Sequence, residues 1–174
     1  SVVAQEIDVS ISIPEGIRPV RVLGNDADIN GQVIVTRLAQ IYSEQDKYVI
    51  VEVELAAAET GSNLKLATVS VTYANMKTHE SDKLSGGVRT SFSDNDKKVA
   101  ASLNHKAMAD VVALFSSEQN KLATKFLDEG DLMKCRQILK ENVDYLNVNA
   151  MLCPTDSLRL KELAKQNGFQ LEQL

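Results

Sequence analysis

The chain of 174 residues is poor in aromatic residues and has no surplus of positive charge. It contains no tryptophan, aromatic residues make up 5% of it, and its formal net charge at pH 7 is −5. Proteins that bind nucleic acids neutralise phosphates with basic side chains and stack bases on aromatic rings. We therefore expect no nucleic acid partner.

Long apolar segments are also absent. No run approaches the roughly 20 residues that a membrane-spanning helix needs, and the N-terminus lacks the segments of a signal peptide. We expect no membrane insertion by this segment. The opening, SVVAQEIDVSISI, enters a strand pattern without an initiating methionine, which suggests a piece of a longer protein.

The two cysteines, Cys135 and Cys153, are too few for a disulfide framework. Neither has a histidine or a second cysteine at the spacing of a zinc site. We predict unpaired, partly buried thiols, with one bridge between a helix and the following loop as the alternative.

The first half of the chain has the period-two pattern of β-strands. Residues 5–13 place Ile7, Val9, Ile11 and Ile13 on one face. The pattern of residues 17–23 predicts a second strand. Because Pro19 has no N–H to donate to a neighbouring strand, it lies either in an edge strand or at the start of a strand. The pair Asn30-Gly31 predicts a hairpin that leads into a strand over residues 32–36.

The stretch from Arg37 to Leu55 has the clearest alternation. Val49, Val51, Val53 and Leu55 share one face, and Glu52 and Glu54 lie on the other. The stretch predicts a strand end, a short polar turn and then a long, half-buried strand at the centre of the core.

Two further strands are predicted. In Leu64–Tyr73 the apolar positions switch from even to odd, which indicates a β-bulge near Ala67 and Thr68. Val88, Thr90 and Phe92 form a weaker last strand. Short strands with turns and no helices between them predict an antiparallel β-sandwich of about six to eight strands over residues 1–97.

Helical periodicity begins after Ser93–Lys97, so residues 98–174 predict an α-helical hairpin with a short third helix. Asn104 caps a helix to about Leu127, and Asp131 caps a second to about Leu146. Thr155 or Asp156 caps a third, through about Gln166, which Gly168 ends. The predicted stripes are Ala107, Val111, Leu114, Phe115, Leu122 and Phe126 in the first helix, and Leu132, Cys135, Ile138, Leu139 and Leu146 in the second. The predicted fold class is α+β.

One loop partly matches a calcium-binding pattern. In NDADINGQVIVTR, the residues Asp26, Asp28 and Asn30 fit the first, third and fifth positions of an EF-hand loop. Arg37 stands at the twelfth position, where the loop needs a bidentate glutamate. We interpret the segment as a hairpin turn and keep these three residues only as weak metal candidates.

Asp8, Ser10 and Ser12 spell DxSxS, the first ligand motif of the metal-ion-dependent adhesion site. The apolar alternation continues through this motif, so the three side chains lie along one strand face, about 7 Å apart. A magnesium ion with bonds of about 2.1 Å cannot collect all three. We interpret the motif as a solvated strand face.

No other group indicates catalysis. His79 lies in a polar loop and His105 at a helix start, and neither has partners at triad or ligand spacing. Glu52 and Glu54 are neighbours on one strand face, unlike the facing carboxylates of a glycosidase. We expect no enzyme activity, no catalytic residues and no cofactor.

Four blocks, in this order, resemble a known family: SVVAQEIDVSISIPEGIRPVRVLG, GQVIVTRLAQIYSEQDKYVIVEVEL, LATVSVTY and VRTSFSDN. They are similar to the region that follows the A domain in bacterial von Willebrand factor A domain-containing proteins, including those labelled calcium-activated chloride channel-like. The resemblance implies a β-sandwich and a helical hairpin C-terminal to a metal-binding A domain. The A domain's metal ligands have no counterpart here, and family members occur in the cell envelope and in the cytoplasm.

We therefore expect a non-catalytic accessory or protein-interaction module that supports or orients an upstream A domain in the same parent chain. Its helices would serve docking or self-association, which includes a homo-oligomer. One alternative is a tetratricopeptide-like peptide-binding module, because LATKFLDEGDLMKCRQIL resembles one such repeat, with Ala123, Gly130-Asp131 and Leu139 in place. Such solenoids need about three repeats. A weak calcium-dependent adhesion module is the other alternative.

Overall fold

Two compact units, residues 1–99 and 100–174, make up the chain in the computed structural model, which describes residues 1–174. The first unit, called here the β-unit, holds all the strands, and the second is called the helical unit. The strands are β1 (Val2–Ser12), β2 (Arg18–Leu23), β3 (Ala27–Asn30), β4 (Val33–Leu38), β5 (Ile41–Tyr42), β6 (Ile50–Glu54), β7 (Asn63–Asn75) and β8 (Glu80–Ser91). Every strand pair is antiparallel.

The strands form a six-stranded sheet and a two-stranded sheet. The larger has the order β3-β4-β1-β7-β8, and β5 also pairs with β1; the smaller consists of β2 and β6. Apolar side chains of the smaller sheet, among them Val22 and Val51, pack against buried residues of the larger. The predicted sandwich is thus present in part, as one broad layer and one narrow layer.

Strand β1 is the centre of the larger sheet. Its alternation buries Ile7, Val9 and Ile11, as predicted. It pairs with β4 on one side and with β7 on the other, and Ile11 lies opposite the fully buried Ile34. The residues that β1 buries are the hydrophobic centre of this unit.

The stretch Arg37–Leu55 begins with a strand end and finishes with a strand, as predicted, but that last strand is not central. The stretch contains the end of β4, the short β5, a loop and β6, and β6 pairs only with β2. The prediction of the face was correct, because Val51 and Val53 pack, partly buried, against the core. The prediction of its place was wrong, because strand order depends on pairings between residues far apart in the sequence.

The β7–β8 hairpin contains the predicted bulge, but its second strand is longer than predicted. The predicted bulge is present: the register shifts between Lys65 and Ala67, which leaves Leu66 as the extra residue. Strand β8 begins at Glu80, well before Val88, where the sequence predicted it to start. Before Val88 it consists of polar residues, Leu84 and two glycines, and backbone bonds to β7 form its ladder.

The helices are α1 (Asp96–Ser102), α2 (His105–Asp128), α3 (Leu132–Leu152) and α4 (Ser157–Glu172), with a 3₁₀ turn at Pro154–Asp156. Two predicted N-caps are confirmed. The Oδ1 atom of Asn104 accepts from the N–H of Ala107 at 3.0 Å, and Oδ1 of Asp131 accepts from the N–H of Lys134 at 3.1 Å. No helix has the length and apolar character that a bilayer crossing requires.

Two predicted helix ends are wrong. Helix α3 continues past Leu146, and α4 continues through Gly168. A glycine inside a helix costs only about 1 kcal/mol relative to alanine. Burial of Leu160, Ala164 and Asn167 holds α4 against its neighbours and outweighs that cost. At the start of α4, Asp156 makes no side-chain capping bond.

Small side chains dominate the buried face of α2. Ala109, Ser116 and Ala123 are buried, whereas Leu122, which belonged to the predicted stripe, is exposed. Leu132 of α3 is exposed as well. Small residues let helices approach closely, so the interface lies beside the stripe of large residues. The stripe prediction is therefore correct only in part.

Candidate functional site

The weak calcium candidates lie on and beside an edge strand. Asp28 and Asn30 are exposed in β3, and Asp26 immediately precedes it. Asn30 pairs with Val33, and Gly31 has a φ of +59°, which a tight hairpin turn requires. Alternate positions of a strand are about 7 Å apart, so these side chains do not encircle one ion as a loop would.

Arg37, the residue at the twelfth position of that pattern, binds Asp8. Its Nε donates to Oδ1 at 2.7 Å and its Nη2 to Oδ2 at 3.0 Å. This hydrogen bonding holds the pKa of Asp8 below its usual value, against a smaller opposing effect of desolvation. Asp8 hydrogen bonding also raises the pKa of Arg37. The first residue of the DxSxS motif thus has a cationic partner within the sheet.

The other polar candidates are dispersed. His79 lies in the β7–β8 turn with a φ of +60°, and His105 is the exposed first residue of α2. Glu52 and Glu54 form ion pairs with Arg21 and Arg18 across the β2–β6 sheet. Sequence reasoning missed these arginine partners, although the basic positions of RPVRVL signalled them. No three histidine, cysteine or acidic side chains gather as metal ligands would.

Both cysteines are buried and unpaired, as the sequence predicted, and the alternative bridge is not formed. Cys135 packs with Ala123 and Leu139, whereas Cys153 belongs to a second cluster that contains Leu146. Neither thiol is exposed to solvent.

A groove of about 330 Å³ runs along the helical unit. Its floor is Ala123, Cys135 and Leu139, which are buried, and its rim includes Leu127 and Phe169, which are 40% and 61% exposed. The remaining lining residues are Asn120, Thr124, Gln170, Gln173 and Leu174. The groove offers apolar surface with a few amide groups, which suits an apolar or peptide-like ligand better than a charged one.

This groove is called here the helical groove. A buried amide, that of Asn142, lies behind one of its walls. Nδ2 of Asn142 donates to the carbonyl of Ser116 at 3.1 Å and to Oδ1 of Asn120 at 3.0 Å. Oδ1 of Asn142 has no partner. Asn120 is therefore oriented by an interior group while it lines the groove.

Other large apolar side chains of the helical unit are exposed. Met133, Met151 and Leu158 are 84%, 72% and 82% exposed. Apolar surface of this kind, especially when it is rich in methionine, is typical of protein interaction surfaces.

Comparison with known proteins gives a likeness of fold. No protein-family model matches the chain, and no curated protein matches it. A von Willebrand factor type A protein from Catenulispora acidiphila matches with a TM-score of 0.57 and 12% identity, over 92% of this chain and 39% of that one. The ArnB paralog VWA2 from Sulfolobus acidocaldarius gives a TM-score of 0.46 and 11% identity, over 95% of this chain and 42% of that one. The chain spans about two fifths of each, and its fold is similar to part of the Catenulispora protein.

Proposed function

We propose that this chain is a non-catalytic accessory module of a von Willebrand factor A domain-containing protein, which supports or orients an upstream A domain in the same parent chain. The observation that carries the proposal is the fold likeness, because most of the matched type A protein lies outside the region that this chain covers. The order of the four sequence blocks supports the narrower likeness to bacterial, calcium-activated chloride channel-like members. By that likeness, this region would follow the A domain in the parent chain.

The helical unit would supply the surface that contacts the A domain or another protein segment. The helical groove has an apolar floor and an exposed aromatic at its rim, Phe169, so an added apolar surface would remove that ring from water. Burying an exposed phenylalanine contributes about 1.5–3 kcal/mol. Docking of another protein segment, or self-association, would use this surface.

The test uses a parent chain that contains both the A domain and this region. Phe169→Glu and Leu127→Glu place charges on the rim of the helical groove, and Gln166→Glu places one at an exposed position of α4 outside it. We expect the two rim variants to loosen the A domain, seen as faster hydrogen exchange at its surface, or to change the oligomeric mass by light scattering. The Gln166→Glu control should leave both unchanged. If both rim variants behave like the control, the helical surface does not serve docking.

A tetratricopeptide-like peptide-binding module is the second candidate. It is favoured by the position of Ala123 and Leu139, which the repeat-like segment supplies and which form the floor of the helical groove. A single repeat-like hairpin is short of the about three that stabilise such a solenoid. Titration with a library of extended peptides distinguishes the candidates, because only the peptide-binding module would bind a peptide at the helical groove, in a manner that Phe169→Glu abolishes, without any A domain.

A further inference from the structure

The inner face of the larger sheet is left open along β7 and β8. Leu84 lies opposite Val71 and Val88 opposite Ala67, so both belong to the face that carries the core. Nevertheless Leu84 is 58% exposed and Val88 is 50% exposed. In a complete sandwich, residues on the inner faces of both sheets interdigitate and are buried.

Two hollows occupy the uncovered face. One, of about 220 Å³, is lined by Ile11, Val51, Val53, Leu66, Val69 and Val88 among others. The second, of about 360 Å³, is lined by Ile7, Val71, Tyr73 and Leu84 among others. Strands β1, β7 and β8 contribute residues to both hollows, β6 also lines the first, and β5 also lines the second.

A free strand edge borders the first hollow. Strand β6 pairs only with β2, so its other edge has no strand neighbour. Val51 and Val53 of β6 line the first hollow, and no residue of β2 does. The hollow therefore lies on the side of β6 away from β2, where backbone N–H and C=O groups are available for another strand.

We propose that this opening binds an extended segment of a partner protein, which adds a third strand to the β2–β6 sheet through the free edge of β6. This is β-strand addition, in which main-chain hydrogen bonds give affinity and pockets for alternate side chains give specificity. Aliphatic side chains at every second position of the segment fill the two hollows. From Leu66 to Tyr73, β7 extends about 23 Å at 3.3 Å per residue, so about seven residues cover it.

The negative charges of β6 favour basic residues at the outward positions of the bound segment. The side chains of Glu52 and Glu54 are 45% and 61% exposed, and each bonds an arginine of β2 through Oε2. Strand β2 thus shows the pattern that β6 accepts, with Arg21 opposite Glu52 and Val22 opposite Val51. A neighbour on the free edge with lysine or arginine at outward positions meets the other oxygens of these carboxylates. A second copy of the chain fits less well, because its own RPVRVL strand is already paired with β6.

The test is direct binding of a synthetic peptide, RVRVRVR, acetylated, amidated and labelled with a fluorophore. Its matched control, RRRVVVR, has the same composition without the alternation. We expect saturable binding of RVRVRVR by fluorescence anisotropy, and NMR methyl shifts concentrated at Val51, Val69 and Val88. The control peptide should bind about tenfold more weakly, because it cannot turn every apolar side chain inward.

Two variants of β8 test the place of binding. Val88→Lys puts a cation into the first hollow and should weaken binding about tenfold. Ser85→Lys puts the same cation on the outer face, opposite Ser70, and should leave affinity within about twofold. The methyl signal of Ile34, in the core, shows whether each variant is folded.

Three outcomes would overturn the proposal. The first is equal binding of the two peptides, and the second is undiminished peptide binding by folded Val88→Lys. The third is self-association that shifts the same methyl groups without peptide, because it would assign the opening to a second copy of the chain. Phe169→Glu should not affect peptide binding, because every residue that lines the two hollows lies in the β-unit. Failure here and failure of the proposed docking function are therefore distinguishable.

Discussion

Arg37 and Asp8 form a two-point ion pair across β1 and β4, at 2.7 and 3.0 Å. We predict that Arg37→Gln returns the pKa of Asp8 toward its ordinary value of about 3.9, because the hydrogen bonds that favour the carboxylate are weakened. Carboxyl-carbon NMR titration measures this. Arg89→Gln, on β8, is the control, since Arg89 bonds Asn63. An unchanged Asp8 pKa in Arg37→Gln would contradict the assignment.

The Asp8–Arg37 ion pair also affects whether the segment after β2 can bind calcium. Arg37 takes the position of the bidentate ligand in the EF-hand pattern and is bound to Asp8, so we predict no saturable calcium binding in the micromolar range, roughly 10⁻⁷–10⁻⁵ M for sensor sites. Isothermal titration of the wild type and of Asp28→Ala should give the same trace. A heat change present in the wild type and abolished in Asp28→Ala would support the calcium-dependent adhesion alternative.

The cap of α3 should make the helical unit sensitive to acid. The N–H and ammonium groups of Lys134 lower the pKa of Asp131, mainly through the backbone hydrogen bond. A folded-state pKa below the unfolded value of about 3.9 means that the stabilisation is complete above that value. It is lost as the pH falls through the folded pKa.

We therefore expect Asp131→Ala to lower the melting temperature of the helical unit at pH 7, with the difference from the wild type shrinking below about pH 4. Circular dichroism melts at a series of pH values measure it. Asp131→Asn keeps a capping oxygen without the charge and should lie between the two. A difference between Asp131→Ala and the wild type that grows on acidification would contradict this account.

Asn142 carries a carbonyl oxygen that is buried without a partner. An unsatisfied buried group costs about 1–3 kcal/mol, which offsets most of the gain from its two donated hydrogen bonds. We predict that Asn142→Leu raises the free energy of unfolding. Asn142→Asp should lower it by about 3–5 kcal/mol at pH 7, because the charge is buried and unpaired, and by less in acid, where the group is neutral.

Urea unfolding monitored by methyl signals of the helical unit measures these two variants. Asn147→Leu, at an exposed position of the same helix, is the matched control and should change stability little. Destabilisation by Asn142→Leu would show that the two hydrogen bonds of the amide outweigh its orphan oxygen.

The two sheets should differ in how they tolerate truncation. Ile34 is fully buried, so Ile34→Ala should cost about 2–5 kcal/mol. Val51 is half-buried beside a hollow, so Val51→Ala should cost about 1 kcal/mol, and Val51→Asp should destabilise less than Ile34→Asp. Denaturant unfolding followed by β-unit methyl signals measures the order. If the Val51 and Ile34 variants lost equal amounts of unfolding free energy, Val51 would belong to the centre of the core after all.

Local features were predicted well from the sequence. The alternation Ile7–Ile13, the turn at Asn30-Gly31 and the caps Asn104 and Asp131 depend on neighbours a few residues away, and the structure contains all of them. They could be identified because period-two burial, positive φ and capping bonds are short-range requirements.

Features that depend on distant residues were missed. The place of β6 beside β2 depends on a pairing such as Val22 with Val51, and the Asp8–Arg37 ion pair joins residues of different strands. Gly168 was predicted to end α4 because tertiary burial of Ala164 and Asn167 cannot be seen in a helix signal. The open inner face at Val88 depends on how few strands the second sheet has.

The two buried thiols have a practical consequence for the helical unit. Cys135 and Cys153 lie in separate clusters, one with Ala123 and one with Leu146, and neither contacts solvent. A thiol reagent can therefore react with each only when its own end of the three-helix packing opens. Without any added label, the alkylation rates of the two cysteines report separately on the opening of the two ends.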